Sequence, residues 1–163
     1  MKKDHLKVDF FEATTTKKET RNLLTIEHLN AQSILAHIEE IELLLIERKI
    51  DILCVSETWL DASIQDSFIH ILDFNVYRCD HGRGGGTLIY VRNDLKVNRI
   101  FVDAEKADRI EDVWICVQHK KLPSFIIGCV YRHPKALASS FDYLSKTFKN
   151  IRLRKKPVFI LGI

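Results

Sequence analysis

The stretch LLTIEHLNAQSILAHIEEIELLLIERKIDILCVSETWL, residues 23–60, carries the pattern that decides the fold. Leu23 to Leu29 is a mostly apolar run of strand length, and Ile52 to Val55 is a second, fully apolar one. Between them Ile34, Leu35, Ile38, Ile41, Leu44 and Leu45 fall on one face of a helix. Strand, helix and strand of these lengths predict a βαβ unit with parallel strands and a right-handed crossover. Ligands of such sheets sit beyond the carboxyl ends of the strands. Asn30 and Glu57 close the two strands there, so an amide and a carboxylate are aimed into one crevice.

Working outward, Gly84, Gly85 and Gly86 precede a strand from Thr87 to Val91, and Val113, Ile115 and Val117 alternate in the next one. Phe125 to Tyr131 reads as a further strand. Ser139 and Asp142 predict a capping box, opening a helix that carries Phe141, Leu144, Phe148 and Ile151 before a last strand, Val158 to Leu161. The glycine run lacks the GxGxxG spacing of a phosphate cradle and precedes a strand, which predicts a tight turn for close backbone packing. Residues 1–20 are polar and rich in Thr and Lys, and predict a flexible leader. No repeat or low-complexity linker interrupts residues 21–163, which read as one domain.

The composition is that of an ordinary globular chain of 163 residues, 46% hydrophobic and 29% charged, with a formal net charge of +3. That mild basic bias permits a nucleic-acid partner without arguing for one. Arg152, Arg154, Lys155 and Lys156 form the one dense basic cluster and read as a solvated helix end. Cys54, Cys79, Cys116 and Cys129 lie far apart, with no spacing for zinc, and read as reduced, buried thiols of an intracellular protein, cytoplasmic or nuclear. No run approaches the ~18 apolar residues of a membrane helix, so no membrane partner is expected.

Residue chemistry alone gives bland readings for the polar positions. Asn30 reads as the cap of the helix that follows it, Glu57 as an exposed loop acid, and Tyr131 as a strand-end residue with a wet hydroxyl. Trp59 and Trp114 read as core or shelf residues, and Arg83 as a solvated loop cation.

Five stretches together change those readings. LNAQSI (29–34), SETWL (56–60), RGGGTLIYVR (83–92), VYRHP (130–134) and PVFILG (157–162) occur in the order and approximate spacing of the endonuclease/exonuclease/phosphatase superfamily. They resemble most the endonuclease domain of non-LTR retrotransposons, over roughly residues 22–162. The resemblance implies an α/β chain, the N-terminal portion of a four-layer α/β sandwich of the deoxyribonuclease I type. It implies a Mg²⁺-dependent endonuclease that nicks DNA to prime reverse transcription. Glu57 would be the metal-binding glutamate, Asn30 the amide that supports the metal or orients the attacked phosphate, and Tyr131 the tyrosine near the scissile phosphate.

The sequence also departs from the family pattern. The family's Leu-Gly strand end is followed by an aspartate, one further residue and an asparagine, whereas Ile163 stands in the aspartate position here, and the family's later Ser-Asp-His is not among these residues. His133 replaces a proline of the Tyr-x-Pro-Pro loop, while Pro134 is kept. The expectation is therefore a truncated domain, inactive by itself and prone to self-association through uncovered sheet, with no obligate protein partner inferable from the sequence. The alternatives are a non-catalytic remnant with weak nucleic-acid binding, or a phosphoesterase of the same superfamily.

Overall fold

The structure is a computed structural model that describes residues 8–10, 23–102 and 109–162. Most of the predicted leader, and Ile163, lie outside the described residues. Residues 8–10 are within the leader and form a short strand, β1 (Val8–Phe10). It is followed by β2 (Ile26–Asn30), α1 (Ile38–Glu47), β3 (Ile52–Ser56), β4 (Phe74–Cys79), β5 (Thr87–Arg92) and β6 (Lys96–Ile100). The chain continues through β7 (Ile110–Gln118), β8 (Phe125–Arg132), α2 (Ser140–Arg152) and β9 (Val158–Gly162).

The strands form two sheets, ordered β1-β2-β3-β5-β4 and β6-β7-β8-β9. As the pattern predicts, β2 and β3 are parallel, with Asn30 opposite Ser56 at their carboxyl ends. The second parallel pair is β8 with β9. The remaining pairs are antiparallel.

Alternation along the strands sorts the side chains into three cores. Ile52 and Cys54 of β3, Ile89 and Val91 of β5, Val113, Ile115 and Val117 of β7, and Phe125, Ile127 and Cys129 of β8 fill the space between the sheets. The other face of the first sheet, with Leu29, Leu53, Val55, Leu88 and Tyr90, receives Ile41 and Leu45 of α1. The outer face of the second sheet, with Trp114, Ile126 and Val130, receives Tyr143, Leu144 and Ile151 of α2. Helix, sheet, sheet and helix make the four layers that the resemblance implies. Asp112 ties α2 to β7, accepting hydrogen bonds from Tyr143 Oη (3.0 Å) and Trp114 Nε1 (2.7 Å).

Several local expectations are corrected. The first helix is broken: Ile34–Ala36 form a 3₁₀ turn before α1 begins, which resets the helical phase and leaves Leu35 42% exposed. Ser139 does not cap α2 with its side chain; its backbone is already helical (φ −57°, ψ −19°), whereas a capping side chain is presented from extended backbone. Phe141 is exposed, with the Arg132 guanidinium 4.5 Å from its ring centroid. Cys54 and Cys129 are buried and free as expected, but Cys79 and Cys116 are only half-buried. Burial raises the Cys54 thiol well above its ordinary range, helped by the neighbouring Cys129. Arg152, Arg154, Lys155 and Lys156 are exposed at the end of α2. No helix among the described residues is long and apolar enough to cross a membrane.

Candidate active site

The same alternation that fills the inter-sheet core ends in polar side chains at one end of the sandwich. Along β7 the inward positions run Val117, Ile115, Val113 and then Glu111; along β8 they run Phe125, Ile127, Cys129 and then Tyr131. Glu111 and Tyr131 are register partners. On the facing sheet Asn30 ends β2, and Glu57 follows the last residue of β3.

The structure brings all three sequence-predicted residues together. Asn30 Nδ2 donates to Glu57 Oε1 at 2.9 Å, and Tyr131 Oη donates to the same oxygen at 3.2 Å. Asn30 therefore does not cap a helix, and Glu57 is a half-buried acid with two donors and not a loop acid in water. Asn30 Oδ1 is buried and has no hydrogen-bond partner among the described residues. Burial, the Glu57 carboxylate and, less strongly, Glu111 push the Tyr131 hydroxyl up to about 12. At neutral pH Tyr131 is thus a protonated donor and not a phenolate.

The backbone that carries Glu57 is strained and held from both sides. Glu57 (φ +52°) and Trp59 (φ +58°) occupy the left-handed region that side chains avoid. On one side Ser33 N–H donates to Glu57 O and Ile34 N–H to Thr58 O, each at 3.0 Å. On the other, Thr58 N–H donates to Gly86 O at 3.3 Å and Trp59 N–H to Gly85 O at 2.9 Å. These bonds fix the turn that aims the carboxylate. They also account for the glycines: Gly86 has φ +90°, and a Cβ there would stand 2.4 Å from Thr58 Oγ1. The tight-turn reading of Gly84–Gly86 agrees with this.

Two residues without a role in the sequence reading join the crevice. Glu111 is buried, its Oε2 accepting Gly86 N–H at 3.3 Å, and its Oε1 lies 2.8 Å from His81 Nδ1. Glu111 was legible in principle, because it continues the inward parity of Val113, Ile115 and Val117; His81 reaches it through a loop and left no periodic signal. Trp114 is core, whereas Trp59 is half-buried with the Arg83 guanidinium 5.7 Å from its ring centroid.

Glu57 and Asn30 Oδ1 are hard oxygen donors of the type that Mg²⁺ accepts. Among the described residues no group of three or more His, Cys, Asp or Glu is placed to hold a metal ion. Mg²⁺ does not require one, since it keeps waters and is held through one or two carboxylates plus substrate phosphate. The unpartnered amide oxygen beside a carboxylate fits that mode.

Neither a protein-family model nor a curated protein sequence matches the chain. Solved structures do match in fold. An AP endonuclease from Archaeoglobus fulgidus is 18% identical with a TM-score of 0.60, covering 86% of this chain and 56% of its own. An endonuclease/exonuclease/phosphatase family protein from Bacteroides thetaiotaomicron is 15% identical with a TM-score of 0.60, covering 85% and 62%. A mannosyl-6-phosphatase from the same organism is 15% identical with a TM-score of 0.62, covering 85% and 64%. The chain spans less than two thirds of the length of each.

Proposed function

From a chain that carries the fold of the endonuclease/exonuclease/phosphatase superfamily, we propose that the Asn30–Glu57–Tyr131 crevice is the metal-holding part of a phosphodiester-cleaving site, in a DNA endonuclease of the non-LTR retrotransposon type. The observation that carries this reading is the convergence of the two donors on one Glu57 oxygen while Asn30 Oδ1 is left buried and unpartnered. The five motif stretches favour the retrotransposon type over other members.

Glu57 and Asn30 Oδ1 would hold Mg²⁺. When bound, that ion supplies Lewis-acid stabilisation of phosphate charge and lowers the pKa of water. Asn30 Nδ2 orients the Glu57 carboxylate by its hydrogen bond. Tyr131 keeps its proton at neutral pH, and its O–H, now on Glu57, can turn to hydrogen-bond a non-bridging phosphate oxygen when substrate is present. The backbone bonds around residues 57–59 hold Glu57 in place before substrate arrives.

Residues 1–163 supply one metal-binding carboxylate and no assigned general base. A general base is typically worth ~10²- to 10⁴-fold, so these residues alone are expected to bind metal and nucleic acid without appreciable turnover. Supercoiled plasmid tests this. A chain that also carries the Asp-x-Asn and Ser-Asp-His stretches nicks it with Mg²⁺ and loses nicking on Glu57→Ala. Residues 1–163 alone do not nick. Nicking that survives Glu57→Ala refutes the reading, and phosphate release from p-nitrophenyl phosphate without nicking replaces it with a phosphatase.

A further inference from the structure

The loop after β4 brings a second polar pair to the rim of the crevice. His81 N–H and Gly82 N–H both donate to Leu60 O, at 3.2 and 2.8 Å, which ties this loop to the strained 57–60 segment. The imidazole lies over Gly85, where an added Cβ would stand 2.7 Å from its Cδ2. Its Nδ1 faces Glu111 Oε1 at 2.8 Å. The Glu111 side chain is 3% exposed and that of His81 37%, so a buried anion anchors a ring that reaches solvent.

From His81 the contacts run inward without a gap. Glu111 is the register partner of Tyr131, and Tyr131 donates to Glu57. With Nδ1 turned to the carboxylate, Nε2 on the far side of the ring is the nitrogen left for an external ligand. Arg83, two residues on, is exposed and lies over the Trp59 ring. Imidazole, guanidinium and indole are thus carried by two segments, 57–60 and 81–85, that are hydrogen-bonded to each other. The other charged groups around His81 are Asp80, which is paired with Arg78, and Glu57 behind Tyr131.

We propose that His81, held by Glu111, is a phosphate-contacting residue that receives the backbone of a bound nucleic-acid strand next to the Glu57 crevice, with Arg83 as its neighbour contact. The inference rests on the phosphodiester-cleaving reading of that crevice. An imidazole seated on a buried carboxylate is fixed in place, so it meets phosphate without first having to be ordered. Glu111 is then a positioning residue.

The test is the salt dependence of binding of residues 1–163 to a fluorescent DNA duplex, at pH 6. Each phosphate contact adds ~0.9 to the slope of log affinity against log salt. At pH 6 the unaltered chain therefore loses about 3.5-fold more affinity than His81→Gln between 50 and 200 mM salt. His81→Lys keeps the steeper slope of the unaltered chain. Matched thermal unfolding of the variants excludes a folding defect.

Equal slopes for the unaltered chain and His81→Gln at pH 6, with DNA bound by both, overturn the role of His81 and leave the crevice reading standing. Absence of any DNA binding by the unaltered chain overturns both. Binding of p-nitrophenyl phosphate that depends on His81, with DNA binding unaffected, also contradicts the proposal.

Discussion

Replacing Glu57 by alanine and by glycine should give stabilities in the reverse of the usual order. In a regular element Gly is less stable than Ala by roughly 0.5–1 kcal/mol, because it loses more backbone freedom on folding. At Glu57, φ is +52°, and the bonds from Ser33, Thr58 and Trp59 hold the turn whatever side chain is present. A left-handed conformation costs a residue with a Cβ about 1–2 kcal/mol, which Gly avoids. Both variants lose the hydrogen bonds from Asn30 and Tyr131, so that loss cancels in the comparison. At the midpoints of those ranges Glu57→Gly is more stable than Glu57→Ala by about 0.75 kcal/mol, or roughly 1.5–3 °C in Tm at this size. Urea unfolding followed by circular dichroism measures it. A Glu57→Ala variant as stable as Glu57→Gly, or more so, would refute the strained turn and with it the account of how the carboxylate is aimed.

Further expectations concern close packing, pH and association. Gly128→Ala places a Cβ 2.2 Å from the Trp114 ring and should destabilise by about 1–3 kcal/mol, with the deficit visible in chemical denaturation; an unchanged midpoint would contradict this packing. The Tyr131 hydroxyl is raised from ~10 to about 12, so its neutral form favours folding; that contribution is complete below pH 10 and is lost as pH rises towards 12. Tyr131→Phe should flatten part of the alkaline decline, although Tyr90 and Tyr143, also raised by burial, keep the rest. A decline identical in both proteins would exclude the buried Tyr131 hydroxyl as one of its sources. Ile160 of the edge strand β9 is 40% exposed and Phe141 59%, so residues 1–163 should self-associate at high concentration; a single monomeric species in sedimentation would contradict that.

The legible parts of this fold are those where burial imposes a period. The β2–α1–β3 unit, β5, β7, β8 and β9 all announce themselves, because each presents apolar residues to a core at a fixed repeat. The edge strands do not. β6 has two half-or-more-buried positions among exposed ones, and β4 is half-buried along most of its length, so neither shows a clean alternation. β1 has only three residues, and its place depends on pairing with β2 and not on its own pattern. In the crevice, the ends of β2 and β3 already place Asn30 and Glu57 side by side, whereas their roles, and Tyr131 altogether, come from motif resemblance; residue chemistry alone suggests a cap, a loop acid and a wet phenol. Glu111 was written in the parity of β7, but its meaning depended on which end of the sandwich held the site. His81 could be found only in three dimensions, since its pairing with Glu111 spans a loop and two strands.

Titration of residues 1–163 with Mn²⁺, a spectroscopic stand-in for Mg²⁺, tests most directly whether Glu57, supported by Asn30, holds a divalent cation. A single ion should bind weakly, be displaced by Mg²⁺ and be lost in Glu57→Gln, with Asn30→Ala weakening it. Binding of the same strength in Glu57→Gln, or no binding by the unaltered chain, would contradict it.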